Sequence, residues 1–200
     1  MPGDGIAMAF DALFDFEKAL AEFTGAPYVV VTDGCTHAIE LCMRYHGVKK
    51  TRFTAFTYLS IPQLMRQLDI EHDLIGEEWH GEYQFYDTCI WDSARRLESN
   101  MYRSGQRQCV SFGFDKPLAL GKGGAVLLDD HHEWEVLSRW RADGRDLRIS
   151  PWQQQVRFGP GWHYCPTLEL CRQGLALLSG FSGACQTAKY PDCRQIVLES

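Results

Sequence analysis

From residue 10 to residue 45 the chain reads helix, strand, helix, and the strand between is apolar on both sides of its pleat. FDALFDFEKALAEF (residues 10–23) sets Phe10, Leu13, Phe16, Leu20 and Phe23 on one helical stripe. PYVVVT (27–32) follows with no polar alternation, DGCT breaks it, and HAIELCMRY (37–45) puts Ala38, Ile39, Cys42 and Tyr45 on one face. A strand with no polar side cannot face water on either surface, so a layer must cover each. The alternation continues. TRFTAFTYL (51–59), HDLIG (72–76), YQFYDTCIWD (83–92), QCVSFGF (108–114) and GGAVLLDD (123–130) read as strands. IPQLMRQL (61–68), with Pro62 in its first turn, EWEVLSRWRAD (133–143) and TLELCRQGLALLSGF (167–181) read as helices. This pattern predicts an α/β fold with a mainly parallel sheet buried between helical layers.

Two hundred residues suit one such domain and suffice for a real core. A net charge of −6 argues against nucleic-acid binding as the main function. The arginines between Arg139 and Arg148 could still serve an anionic small molecule. No apolar run reaches the length of a membrane span, and MPGDGIAMAF lacks the layout of a signal peptide, so a cytoplasmic location is expected. The eight cysteines form no CxxC pair, and several lie in apolar segments, as buried thiols of a reducing compartment do. His72, His80, His131 and His132 show no metal-binding spacing, and no metal is expected. Residues 144–166 are irregular and rich in Trp, Arg, Gly and Pro, and long loops of this kind are usually functional or interfacial. The stretch from residue 182 onward has no strong periodicity and predicts no domain of its own.

In parallel α/β sheets ligands gather beyond the carboxyl ends of strands, and three strand ends carry chemistry here. After YVVVT, the run Asp33-Gly34-Cys35-Thr36 leads straight into a helix, whose first N–H groups and the Thr36 hydroxyl could bind an anion. Simple capping by Asp33 or Thr36 is the competing reading. Asp92 ends a very apolar strand and needs a partner once buried; Arg95 or Arg96 could be that partner, and Asp87 competes for the role. Lys116 follows CVSFGF and could equally be a solvated loop lysine. Lys122 in GKGG lacks the phosphate-loop spacing and reads as a turn residue. Their order decides more than any one of them. An anion-binding helix start, a strand-end aspartate and then a lysine is the layout of a site for pyridoxal 5′-phosphate (PLP). That cofactor needs its phosphate anchored, its pyridine nitrogen kept protonated and its aldehyde bonded to an amine.

The same residues resemble the DegT/DnrJ/EryC1/StrS sugar aminotransferases, PLP enzymes of fold type I. FEKALAEFTGAPYVVVTDGCTHAIEL is similar to that family's opening pattern, with cysteine where its phosphate turn usually has glycine. TAFTYLSIPQLM, WDSARRL, SFGFDKPLALGKGGAVLLDD and GPGWHYCPTLELCRQGLALL resemble its later motifs. The resemblance runs from about Phe16 to Leu178. It implies the three-layer large domain of the aspartate aminotransferase type over residues 1–180. Residues 181–200 would be a tail or a remnant of the small domain, since the chain ends where a full member begins that domain.

The resemblance also implies roles. Lys116 becomes the Schiff-base lysine and Asp92 the partner of the pyridine nitrogen. Tyr58 stacks on the cofactor ring, and Cys35, Thr36 and Ser111 bind the phosphate. Arg95 stands where the family has Gln near the ring oxygen. His163 stands where an Asn reaches the phosphate of a neighbouring subunit, so a homodimer is expected. Lys122 replaces an acidic residue, and Cys165-Pro166 replace Arg-Met. Family members that deoxygenate replace the lysine by histidine, so Lys116 favours transamination. The expected activity is transfer of an amino group, in most of the family from glutamate, to a keto group of a nucleotide-linked sugar. The alternatives are a catalytically degenerate or partner-dependent protein of this fold, and a transaminase of another small keto compound.

Overall fold

A computed structural model describes residues 9–187 and 189–198. Its elements run α1 (Asp11–Thr24), β1 (Tyr28–Thr32), α2 (Cys35–Tyr45), β2 (Lys50–Thr54), α3 (Ser60–Gln67), β3 (Glu71–Ile75), β4 (Tyr83–Gln84) and β5 (Ile90–Asp92). They continue with β6 (Arg96–Leu97), β7 (Arg107–Ser111), β8 (Gly124–Leu128), α4 (His131–Trp140), α5 (Leu168–Leu178) and β9 (Ala184–Cys185). Helix–strand alternation is as the sequence predicts, and the three-layer α/β architecture follows from it.

The central sheet has the order β1-β8-β7-β5-β4. Edge strand β1 and its neighbour β8 are covered on both faces. Along β1, Val30 enters the core beneath α2 and α4, while Val29 and Val31 enter the core beneath α1 and α5. On β8, Val126 and Leu128 take the first side and Ala125 and Leu127 the second. Period-two alternation between two apolar layers explains why these strands carry no polar side.

The expected mainly parallel sheet is corrected to a mixed one. β8 runs antiparallel to both β1 and β7, and β4 runs antiparallel to β5, leaving β5–β7 as the parallel pair of that sheet. The cause is connectivity. No helix separates β7 from β8, so the chain turns back through residues 112–123 and enters the sheet beside its predecessor, reversed. The βαβ pattern survives in β2-α3-β3, whose strands pair in parallel as a separate two-stranded sheet.

YQFYDTCIWD is likewise not one strand but the hairpin β4–β5. Asp87 sits in its turn at φ +64, exposed, with the Phe85 carbonyl accepting from Thr88 N–H. The predicted helices at 10–23, 61–68 and 167–181 match α1, α3 and α5 to within a few residues at each end. Among the described residues no helix is long and apolar enough to cross a membrane.

Candidate active site

The register brings the three strand ends together. Thr32 and Ser111 both face Gly124 across the sheet, and Asp92 faces Cys109. Beyond this edge lies a cavity of about 410 Å³, lined by Cys35, Thr36, Tyr58, Asp92, Ser111 and Lys116. Six of the eight residues expected from the sequence therefore meet at one place.

The helix start is the first wall. α2 begins at Gly34 in extended conformation, with no side chain capping its first turn. Neither Asp33 nor Thr36 caps, which removes the competing reading of this turn. Asp33 accepts from His37 Nδ1 at 2.5 Å and lies 3.5 Å from Lys122 Nζ. These two contacts, with the His37 and Lys122 charges, hold its carboxyl below the usual range although burial pushes the other way. The Thr36 and Ser60 hydroxyls share a hydrogen bond at 2.7 Å. Cys35 turns its thiol inward, 3.5 Å from the Cys109 carbonyl oxygen, and burial, then the nearby Asp92 carboxylate, push that thiol well up. What Cys35 offers the cavity is its backbone N–H, together with that of Thr36, at the positive end of the helix. Gly124 makes this approach possible, because a Cβ there would lie 2.4 Å from the Cys35 nitrogen.

Asp92 forms the floor and is 4% exposed. Its Oδ2 accepts from Tyr83 Oη at 2.9 Å and its Oδ1 from the Ala94 N–H at 2.9 Å. Tyr83 is held in turn by Thr57 at 2.7 Å. Neither Arg95 nor Arg96 pairs with Asp92. Arg96 binds Glu82 and Glu98, and Arg95 binds Asp115. Burial raises the Asp92 carboxyl above its ordinary range; the Ala94 and Tyr83 hydrogen bonds and the charges of Lys116 and Arg95 offset it only in part. A buried carboxylate with only neutral donors in contact is costly unless a cation arrives.

Lys116 lies on the connection between β7 and β8. Phe112 and Leu118, both buried in the α1–α5 core, anchor the loop on either side of it. Its side chain is 11% exposed, and Nζ donates to Tyr190 Oη at 2.6 Å. It is not a solvated loop lysine. Ser111 Oγ lines the cavity and accepts from the Gly113 N–H at 3.4 Å. Tyr58 stands at the mouth, 61% exposed.

Arg95 and His163 do not line the cavity. Arg95 donates to the Asp115 carbonyl at 2.9 Å, the Asp115 carboxylate at 2.6 Å and Gln186 Oε1 at 3.2 Å, bracing the loop beside Lys116. His163 stands on the irregular segment, strongly exposed, 3.0 Å from Asp143 Oδ2. The neighbouring arginines are not a free basic patch. Arg141 is buried against Glu17, Arg139 and Arg148 pair with Asp146, and Arg145 pairs with Asp143.

Among the wall residues that the sequence did not anticipate are Trp79, Lys122 and Tyr190. Trp79 donates to the Phe56 carbonyl at 2.6 Å and packs edge-on against Tyr83 with ring centres 4.9 Å apart. It is one aromatic in the polar run GEEWHGE, and that isolation was the signal available. Lys122, read as a turn residue, stands on the cavity rim beside Asp33. Tyr190 comes from the segment with no periodicity and had no signal at all. Among the described residues no cluster of His, Cys, Asp and Glu could hold a metal.

The model of the DegT/DnrJ/EryC1/StrS aminotransferase family matches residues 4–72, which span α1 to the start of β3 and include Cys35, Thr36 and Tyr58. The resemblance to that family holds. PseC of Helicobacter pylori, an aminotransferase involved in the biosynthesis of pseudoaminic acid, superposes with a TM-score of 0.67 at 16% identity, covering 84% of this chain and 57% of its own. The sugar aminotransferase CalS13 of Micromonospora echinospora gives 0.70 at 13% identity over 84% of this chain and 60% of its own. Spr1654 of Streptococcus pneumoniae, in its PMP form, gives 0.69 at 13% identity over 85% of this chain and 60% of its own. At these identities the likeness establishes the fold. The chain spans rather more than half the length of the structures it matches. No curated protein matches the sequence.

Proposed function

We propose that this chain is the PLP-binding part of an aminotransferase that places an amino group, taken from glutamate, on a keto group of a nucleotide-linked sugar. The observation that carries the reading is Asp92: a buried carboxylate on a cavity floor, held by two neutral donors and lacking a contacting cation. A protonated pyridine nitrogen supplies the missing charge. The other donors fit the same group. The Cys35 and Thr36 N–H groups and Ser111 would hold its phosphate, Tyr58 would cover its ring, and Lys116 would bond its aldehyde carbon.

When bound, the cofactor supplies a conjugated ring that takes up electrons from a substrate α-carbon. Asp92, oriented by Tyr83 and Ala94, keeps the ring nitrogen protonated. Lys116 Nζ, placed beside the Asp92 floor, would be the base that takes the proton from the donor's α-carbon. Buried Asp92 and the apolar side chains of Trp79 and Ile61 would limit water at this face once the cofactor fills the cavity. In the same reading the protein is a homodimer, and the partner's His163 reaches the phosphate. Exposed Trp152, Phe158 and Ile149 on the irregular segment, with Phe114 and Tyr58 at the mouth, support it as the apolar surface a second copy would cover.

Adding PLP to the protein should produce an absorbance band near the visible edge that Lys116→Ala abolishes. Glutamate alone should then discharge the band and leave pyridoxamine phosphate. A wild-type protein that gives no band overturns the cofactor assignment; a band that glutamate does not discharge overturns the donor.

A further inference from the structure

We propose that Tyr190 is a positioning residue for Lys116, holding its Nζ and covering it until a carbonyl group enters the cavity. This rests on the reading of Lys116 as the amine that bonds the cofactor, although the contact itself is independent of that reading. The Lys116 Nζ donates to Tyr190 Oη at 2.6 Å, and the Tyr190 ring centre lies 5.4 Å from Nζ and 5.3 Å from Arg95 Cζ. Nζ thus meets the ring at its hydroxyl edge, in line with the phenol oxygen, while the Arg95 guanidinium lies within cation–π range of the same ring. Trp79 lies nearly parallel to the ring at 6.2 Å and Tyr58 at 6.1 Å, so Tyr190 completes an aromatic wall of the cavity.

The contact is built rather than incidental, because the chain is fastened on both sides of it. Before Tyr190, β9 pairs with β6, the Gln186 N–H donates to the Arg95 carbonyl at 2.8 Å and the Gly81 N–H donates to the Gln186 carbonyl at 3.0 Å. After it, the Cys193 N–H donates to the Ala55 carbonyl at 2.9 Å and its thiol to the Thr57 carbonyl at 3.4 Å. Thr57 also holds Tyr83, the donor to Asp92, so one loop ties the Tyr190 segment to the cavity floor. An amine that is to attack a carbonyl carbon must give up its extra proton to solvent and turn the freed lone pair toward that carbon. The Tyr190 hydrogen bond holds the nitrogen against this turn, so weakening it should make Lys116 react more readily.

The test uses the ligand-free protein. Brief acetylation with acetic anhydride, read by peptide mass spectrometry, gives the labelling of Lys116 relative to that of exposed Lys122. Tyr190→Phe keeps the ring and removes the hydrogen bond, and should raise the ratio roughly 2- to 10-fold, the worth of one net hydrogen bond. Tyr190→Ala removes the cover as well and should raise it further. Both variants should keep the wild-type melting temperature within a few degrees, and Tyr190→Phe should form the PLP band faster than wild type. An unchanged ratio in both variants overturns the proposal. A raised ratio in a protein that never gives the PLP band sustains the Tyr190–Lys116 contact and overturns the cofactor reading instead.

Discussion

Asp92 is where this chain gives up stability for a site. Its carboxyl is buried and titrates above its ordinary 3.8, chiefly through loss of solvent, with the hydrogen bonds from Ala94 and Tyr83 offsetting only part. A carboxyl whose folded value is raised keeps its proton longer folded than unfolded. Stability is therefore lost as pH rises from about 3.8 through the raised value, the reverse of a salt-bridged aspartate. Asp92→Asn removes that loss while keeping both partners: its amide oxygen can accept from Ala94, and its NH2 can donate to Tyr83, whose proton then goes to Thr57. The expected outcome is a ligand-free variant that melts a few degrees higher than wild type at pH 7. At pH below 3.8 the difference should vanish. In the same calorimetric series, added PLP should raise the melting temperature of wild type and leave Asp92→Asn unmoved. A variant that melts lower at neutral pH would show that the carboxylate already has the cation it needs.

At the scale of elements the site depends on two chain segments touching backbone to backbone. Gly124 opens β8 directly against the start of α2, and a Cβ there would lie 2.6 Å from Cys35 Cα as well as against its nitrogen. The three atoms nearest that Cβ are all backbone, so no side chain can swing aside to admit it. Gly124→Ala should cost about 1–3 kcal/mol in urea unfolding, and it should weaken PLP binding because the displaced atoms include the anion-binding N–H of Cys35. An alanine variant as stable as wild type would mean that β8 slides freely along α2.

Elements of this kind were largely legible beforehand. The apolar stripes of α1 and α5 and the uninterrupted apolar runs of β1 and β8 are short-range signals, readable wherever burial alternates with a fixed period. Strand direction is not such a signal. Whether β8 enters parallel or reversed depends on how residues 112–123 close, which no periodicity records. The turn at Asp87 was hidden for a similar reason, since an aspartate at positive φ between two aromatic stretches looks like strand until the hairpin closes.

For the molecule as a whole, the site residues that announced themselves lie at strand ends, where a polar residue interrupts an apolar run. Asp92 and Ser111 end β5 and β7, while Thr36 and Lys116 stand in the segments that follow β1 and β7. Trp79 and Tyr190 reach the cavity only because distant segments pair, residues 80–97 with 184–187 and Ala55 with Cys193. The same long-range logic fastens the opposite end of the sheet. Arg107 on β7 donates to Glu133 on α4 at 2.6 Å, and Glu133 lies 3.1 Å from His46 after α2, whose ring is 3.6 Å from Cys89 Sγ before β5. Cys89 and then Glu133 push His46 up to about 10. Burial pushes Glu133 up, but the hydrogen bonds from His46 and Arg107 outweigh it and hold the carboxyl below its ordinary range.

The signs follow from which state keeps its protons. His46 contributes fully below its ordinary 6.5, and that contribution disappears as pH climbs to about 10. Glu133 contributes above its ordinary 4.5 and loses its share as pH falls through the depressed value. Subtracting the unfolding free energy of His46→Asn from that of wild type should thus give a difference that is largest near pH 6 and declines steadily toward pH 10. Glu133→Gln leaves buried Arg107 and His46 without their carboxylate and should cost about 3–5 kcal/mol at neutral pH, with a flattened acid limb. A His46→Asn difference that stays constant from pH 6 to pH 10 would mean that His46 is already neutral where it packs, and that Arg107 alone carries the pairing with Glu133.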